Sequence, residues 1–195
     1  MVPPETIEIE VTTTYLEMRQ RPETPAPSKL DVVRAEVPNP ALNRFFYVTV
    51  GADWLWYVRR SWSFAAWQQL VEDPDYQTWI AYFKGSPAGY FELDGRASGE
   101  VEIAYFGLLP GFVGMGLGRE LLDQCIQQAW ALDDVSRVWL HTCTMDHPRA
   151  LPNYVAAGFT EFKQVTAKDN VPSVPLEPWT GAGVKPKTTA EDHPS

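Results

Sequence analysis

Cysteine is scarce in this 195-residue chain: Cys125 and Cys143 are the only two. They show no CxxC and no Cys/His ligand spacing, one lying in an expected helix and the other in an expected strand,. They read as reduced, mostly buried thiols of a cytoplasmic protein. Histidine is as sparse, and His141, His147 and His193 share no ligand spacing, so no metal is expected,. Long apolar runs are missing too. No stretch reaches the roughly 18 to 20 apolar residues that span a bilayer, and MVPPETIEIE lacks the basic start and apolar run of a signal peptide,. Positive charge is in deficit, with 16 Lys and Arg against 25 Asp and Glu and a net charge of −9. Nucleic acid is therefore not expected as a partner, because neutralising phosphates needs a basic surface. A negative field does favour encounter with amines.

What is present suits one globular domain: 45% hydrophobic and 21% charged residues,. TIEIEVTTTYLEMRQR is rich in β-branched residues and reads as an edge strand or hairpin,. The prolines of RPETPAPSKL make a surface connection,. Two helices follow, with Asn39 ahead of Pro40 and Ser63 as N-cap candidates, the second closing before Pro74,. From Tyr76, three β-rich runs separated by glycine-containing turns form an expected antiparallel meander,. A helix from about Gly116 to Leu132, a strand in SRVWLHTCTM, a short helix ending at Gly158 and a strand in TEFKQVTA complete the pattern. The order implies an α+β fold with a mixed, mostly antiparallel sheet flanked by helices. The folded domain is expected over 1–167. Residues 168–195, dominated by Pro, Gly and Thr, read as a flexible tail onto which Trp179 offers one docking point,.

The densest signal is FVGMGLGRELL, where Gly114, Gly116 and Gly118 alternate just before an amphipathic helix. Unpartnered N–H groups and the helix dipole at such a junction favour an anion, and glycines clear side chains from that backbone. The expected function is a phosphate cradle. The spacing is GxGxG, not the GxGxxG of dinucleotide folds, and no Gly-Lys-Ser/Thr follows,.

GLLPGFVGMGLGRELL resembles the acetyl-coenzyme A loop of the GCN5-related N-acetyltransferases, V-x-P-x-x-[Q/R]-G-x-G-[I/L/V]-G-x-x-L-L. Leu108 takes the V position, Pro110 the proline, and Val113 departs from the Gln/Arg position. HPRALPNYVAAGF is similar to the family's N-x-x-A-x-x-x-Y-x-x-x-G-F helix, with His147 in place of Asn and Ala150, Tyr154, Gly158 and Phe159 matching. VEIAYFGLL resembles the E-I-A-F-L-A-V strand of histone-acetylating members, with Glu102 six residues before Leu108. These blocks cover roughly 76–165; the N-terminal part resembles the family in element order only.

The resemblance implies an acetyl-coenzyme A dependent N-acetyltransferase in which an amine attacks the thioester directly. That chemistry needs a neutral amine, an acid for the departing thiolate and a stabilised oxyanion. By resemblance, Leu108 and Leu109 provide a free backbone edge for the pantetheine arm, with the Leu108 N–H facing the acetyl carbonyl. The segment Val113, Gly114, Met115, Gly116, Leu117, Gly118 and Arg119 cradles the pyrophosphate, and Tyr154 is the general acid. Glu102 is the expected base, directly or through water, with Glu92 as the other candidate. Strand alternation places Glu102, Ala104, Phe106 and Leu108 on one face and Val101, Ile103 and Tyr105 on the other. His147 either touches the cofactor or caps its helix, and His141 reads as a satisfied core histidine. Trp54, Trp56, Trp62 and Trp67 wall an acceptor pocket or pack as core. Aromatic faces there would hold an ammonium by cation–π attraction, whereas Arg59 and Arg60 would welcome a carboxylate. The acceptor is expected to be a small-molecule or peptide amine, and homodimers are frequent in the family. Two further readings stay open: an acyl-coenzyme A sensor without turnover, and transfer of a longer acyl group.

Overall fold

The computed structural model describes residues 5–174, apart from Ala26, together with Leu176. Its elements are β1 (Thr6–Met18), β2 (Asp31–Arg34), α1 (Pro40–Val50), α2 (Phe64–Val71), β3 (Tyr76–Phe83), β4 (Ser86–Asp94), β5 (Glu100–Leu108), α3 (Leu117–Ala129), β6 (Arg137–Cys143), α4 (Ala150–Ala156) and β7 (Thr160–Pro172). Short 3-10 turns at Val58–Ser61 and Pro110–Phe112 interrupt the connections. The helix caps follow from the sequence. Asn39 Oδ1 accepts from the Leu42 N–H at 3.1 Å with Pro40 in the first turn, and Ser63 Oγ accepts from Ala66 N–H at 3.2 Å,.

One seven-stranded sheet runs in the order β2-β3-β4-β5-β6-β1-β7. β3, β4 and β5 form the expected antiparallel meander, and β5 with β6 is the parallel pair. The N-terminal strand is not at an edge: β1 lies between β6 and β7, pairing with both. Its Thr14, Leu16 and Met18 are buried on the same face as their partners Thr142, Leu140 and Val138. The expected tail boundary at 167/168 falls inside β7, which stays paired with β1 through Pro172. Beyond it, Ser173 N–H donates to the Glu5 carbonyl and Leu176 N–H to the Ala52 carbonyl. Trp179 lies outside the described residues.

Two layers of helix sandwich the sheet. α3 buries Leu117, Leu121, Leu122, Cys125, Ile126 and Ala129 against Phe91, Leu93, Val101, Ile103, Val138 and Leu140. On the opposite face, Phe46 and Val50 of α1 pack on Ile80 and Tyr90, and Tyr47 and Val48 meet Trp67 of α2. No helix among the described residues is long and apolar enough to cross a membrane.

Gly107 sets how closely α1 approaches β5. A Cβ there would stand 2.5 Å from Val50 Cγ1, a stiff side chain in a packed layer. Gly107→Ala is expected to cost about 1–3 kcal/mol, seen in urea unfolding as a lower midpoint with unchanged slope. An unaltered midpoint would show that α1 can slide.

Candidate active site

The site begins where β5 and β6 part. Their parallel ladder holds only Glu100–Arg137, Val101–Val138 and Glu102–Trp139. Arg137 pins this joined end, its Nη1 donating to Glu100 Oε2 at 2.9 Å and its Nε to Glu17 Oε2 at 2.6 Å. Past Glu102, β5 runs on to Leu108 bonded to β4 alone. A wedge-shaped cleft opens with one unpaired strand edge along its side.

The β4 register fixes which backbone groups face the cleft. Leu109 N–H donates to the Ala88 carbonyl at 2.8 Å, so bonding toward β4 alternates back along the strand. Leu108 and Phe106, opposite Gly89 and Phe91, therefore turn their N–H groups into the cleft. This corrects one expectation. Leu109 is not part of the free edge, since its N–H is held by Ala88 and its carbonyl accepts from Phe112 N–H at 2.9 Å; Phe106 takes its place.

A β-bulge overturns the expected facing of side chains. Opposite Glu92 and Leu93 stand Tyr105 and Ile103, leaving Ala104 as the extra residue,. Val101, Ile103, Phe106 and Leu108 all pack toward α3, whereas Tyr105 packs with the α1–α2 layer. Glu102 therefore does not share a face with Phe106. It lies on the α1–α2 side with Tyr105.

Beyond Leu108 the chain makes the Pro110–Phe112 turn and enters α3 through Gly114 (φ 87°) and Gly116 (φ 78°), left-handed positions that favour glycine,. A Cβ at either would meet nothing within 4 Å, so the loop is open on its outer side. The Val113 and Met115 N–H groups turn inward, each donating at 3.4 Å to Pro110 and Phe112 carbonyls. Donors for an anion are left at Gly114, Gly116 and the first-turn residues Leu117, Gly118 and Arg119, which have no carbonyl one turn back within the helix. The Arg119 side chain is engaged elsewhere, on Asp123 Oδ1 at 2.8 Å and the Ala156 carbonyl at 3.1 Å, tying α3 to the end of α4.

Tyr154 of α4 stands on the α3 side of the sheet, half-buried, its ring centre 6.3 Å from those of Phe106 and Phe159. Burial pushes its phenol above the usual tyrosine range, with Asp146 and Cys125 adding to the effect, so it holds its proton at neutrality. His147 lies ahead of α4, and its Nδ1 accepts from the Arg149 N–H at 3.0 Å while its ring meets Trp54 at 5.1 Å. This bond braces the turn leading into α4, although α4 itself has no side-chain cap at its N-terminus.

The α1–α2 side holds the tryptophan-rich segment and a buried ion pair. Glu92 is fully buried; its Oε1 accepts from Asn43 Nδ2 at 2.8 Å, and its Oε2 from Arg59 Nη1 at 2.9 Å and from the Tyr76 hydroxyl. Such a carboxylate is a scaffold group and not an available base. The Arg59 guanidinium fills the aromatic basket, 4.3 Å from the Tyr105 ring centre, 4.9 Å from Trp62 and 5.8 Å from Trp67. Cation–π attraction operates here, but with the chain's own arginine as the cation and not the substrate ammonium the sequence suggested. Trp54 and Tyr57 reach across the mouth, Tyr57 donating to Asp169 Oδ2 at 2.7 Å.

Glu102 meets His141 where the strands separate. His141 Nδ1 lies 3.3 Å from Glu102 Oε1, and their side chains are 47% and 21% exposed. His141 is thus no core histidine. Sequence reasoning did not place Phe106 on the open edge, Arg59 in a buried pair with Glu92, or His141 beside Glu102. For His141 a signal existed, since alternation with buried Leu140 and Thr142 turns it outward.

Comparison with known proteins agrees with this fold. The acetyltransferase (GNAT) family model matches residues 40–159. The fold resembles a GCN5-related N-acetyltransferase from Kribbella flavida (18% identity, TM-score 0.55, covering 85% of this chain and 60% of that one). It also resembles one from Sphaerobacter thermophilus (19%, TM-score 0.57, 91% and 55%). A third similar structure is a spermidine N-acetyltransferase from Vibrio cholerae in complex with CoA and spermine (14%, TM-score 0.55, 73% and 94%). The chain thus spans less than two thirds of the first two structures. No curated protein matches it.

The Arg59–Glu92 pair makes a stability prediction. Glu92→Ala leaves a buried guanidinium without its partner and is expected to cost about 3–5 kcal/mol. Glu92→Leu combined with Arg59→Met should recover much of that loss in urea unfolding. A double variant as unstable as the single one would mean that the pair is more than a mutual neutralisation.

Proposed function

The chain belongs to the GNAT acetyltransferase family, and on that premise we propose that it moves an acetyl group from acetyl-coenzyme A to a primary amine by direct attack. The observation that carries this reading is the cleft between β5 and β6, whose unpaired edge leads to the glycine cradle. Acetyl-coenzyme A brings its acetyl group as a thioester, activated toward an amine.

The chain's own residues divide the work. Gly114, Gly116, Leu117, Gly118 and Arg119 offer backbone N–H groups to the diphosphate, helped by the α3 dipole. Leu108 and Phe106 offer N–H groups along the thiol-bearing arm; the arm runs from the cradle toward Glu102, so the Phe106 N–H, nearer the base and Tyr154, faces the acetyl carbonyl in place of the expected Leu108 N–H. From Glu102 to Leu108 the edge spans roughly 20 Å at about 3.3 Å per residue, which leaves room for an extended arm. Tyr154, kept protonated by burial, donates to the departing sulfur. Glu102 supplies the negative charge that draws the proton from the amine, directly or through an intermediary. The acceptor enters on the α1–α2 side, between Tyr105 and the Trp54–Tyr57 segment, and is a small-molecule or peptide amine. We also place the protein in the cytoplasm, which its two free thiols favour,.

Calorimetry with acetyl-coenzyme A, followed by thiol release over an amine panel, tests this reading. Binding with turnover is expected. Binding without turnover would make the protein a sensor, and no heat at millimolar concentration would remove the ligand altogether. Tyr154→Phe is expected to lower kcat by about 10²-fold or more with binding retained; an unchanged rate would take Tyr154 out of the mechanism.

A further inference from the structure

The closed end of the cleft carries two titratable side chains from different strands, and only one of them has a role so far. Glu102 sits on the last residue pair of the β5–β6 ladder, opposite Trp139. His141 follows two residues later on β6, so it shares Trp139's face and is the first side chain on that face beyond the junction. Its Nδ1 lies 3.3 Å from Glu102 Oε1, close enough for the two groups to pair with a small turn of the ring. Its ring is braced by Tyr15 of β1 at 5.7 Å and by Trp139 at 6.4 Å.

Building on the acetyltransferase reading, we propose that His141 takes the proton of the acceptor amine on Nε2, with Glu102 acting through it as a positioning residue. A proton on Nδ1 shared with the neighbouring carboxylate would leave the free lone pair on Nε2, the arrangement by which a carboxylate fixes a histidine tautomer. One proton leaves the acceptor nitrogen and binds Nε2, and the electron pair of the broken N–H bond stays on that nitrogen. The imidazolium so formed remains paired with Glu102. An imidazole accepts protons nearer neutrality than a carboxylate does, which suits it to general-base work.

On its own strand and face Glu102 has Tyr105 as a titratable neighbour; the other charged groups around the pair are engaged elsewhere. From β1 the ring meets only Tyr15; from β7, Lys163 lies behind Tyr15, its Nζ 4.9 Å from that ring centre. At the level of Trp139, Glu17 and Arg137 bond each other, with Arg137 also held by Glu100. Glu92, the other carboxylate of the region, is sealed in its own network. Glu102 is therefore the carboxylate against the imidazole among the described residues.

Two measurements test the proposal. Long-range proton–nitrogen NMR on the uniformly labelled full chain, with the His141 signals assigned by their loss in His141→Gln, reads the tautomer without any substrate. The expected result is a neutral ring protonated on Nδ1 in the wild type and a mixture in Glu102→Gln. A ring protonated on Nε2 in the wild type overturns the proposal whatever the activity.

The second measurement uses thiol release from acetyl-coenzyme A with spermidine, phenethylamine and glycinamide as acceptors. With any amine that is turned over, His141→Gln should lose about 10²-fold or more in kcat/KM. It should also flatten the acidic limb of the pH profile, while acetyl-coenzyme A binds within about twofold of wild type by calorimetry. Full activity in His141→Gln, or an acidic limb of unchanged shape, refutes it. Failure of the wild type to bind acetyl-coenzyme A would instead refute the family's reaction for this chain, and the tautomer measurement would then decide the pairing alone.

Discussion

A strand that loses its neighbour midway leaves a row of backbone N–H and C=O groups without partners, and burying such groups is costly. That constraint shapes this molecule. β5 must leave β6 after three residue pairs, so the structure has to hold the strands together on one side of the parting and apart on the other. Arg137 does the first, joining β5, β6 and β1 through Glu100 and Glu17. The second falls to elements that diverge from the junction: β4 carries β5 away toward the Pro110 turn, while β1 carries β6 toward the loop before α4. The open edge then needs hydrogen-bond partners from outside the sheet. In the proposed reaction a ligand anchored on the α3 amides past the glycine turn supplies them.

The acceptor side shows how an aromatic cluster can be read correctly in type and incorrectly in use. Trp62, Trp67, Tyr76 and Tyr105 surround a cation, but it is Arg59, fixed by the buried Glu92 carboxylate. Desolvating two charges costs several kcal/mol per ion and is offset only when geometry and further hydrogen bonds are good. Asn43 and Tyr76 provide those bonds. The result is a rigid wall behind Tyr105. Its positive charge is neutralised internally, so the basket itself has no place for a substrate ammonium.

Much of the fold was legible because local rules were enough for it. Asn39, Pro40 and Ser63 act as the caps they resemble, and Gly116 takes the left-handed conformation a loop-to-helix junction there requires. Three features were not legible, each for a physical reason. β1 inserts inside the sheet because its residues on both sides can pair, a choice settled by β7 returning alongside it. The end of β7 hides in a Pro- and Asn-containing stretch whose composition says loop while its pairing with Thr6 to Glu10 says strand. The bulge at Ala104 breaks the two-residue period on which facing was argued, and an extra residue in a ladder shows only in the partner's register. Glu102 was singled out by the resemblance of its strand to the family's, yet its contact with His141 depends on that register and on a parallel neighbour more than thirty residues away.

The bulge also decides on which faces the proposed acid and base stand. In the proposed reaction two protons move at nearly one place: one comes off the incoming amine and another goes onto the departing sulfur. With strict alternation, Glu102 and Phe106 would point the same way, and acid and base would crowd one face of the sheet. The extra residue leaves Phe106 facing α4, where it packs on the protonated Tyr154, and leaves Glu102 and His141 facing the α1–α2 side. The base then waits where the amine enters and the acid where the thiolate leaves, with the strand edge between them. A one-residue irregularity in β5 thus puts the proposed acid and the proposed base on opposite faces of the sheet.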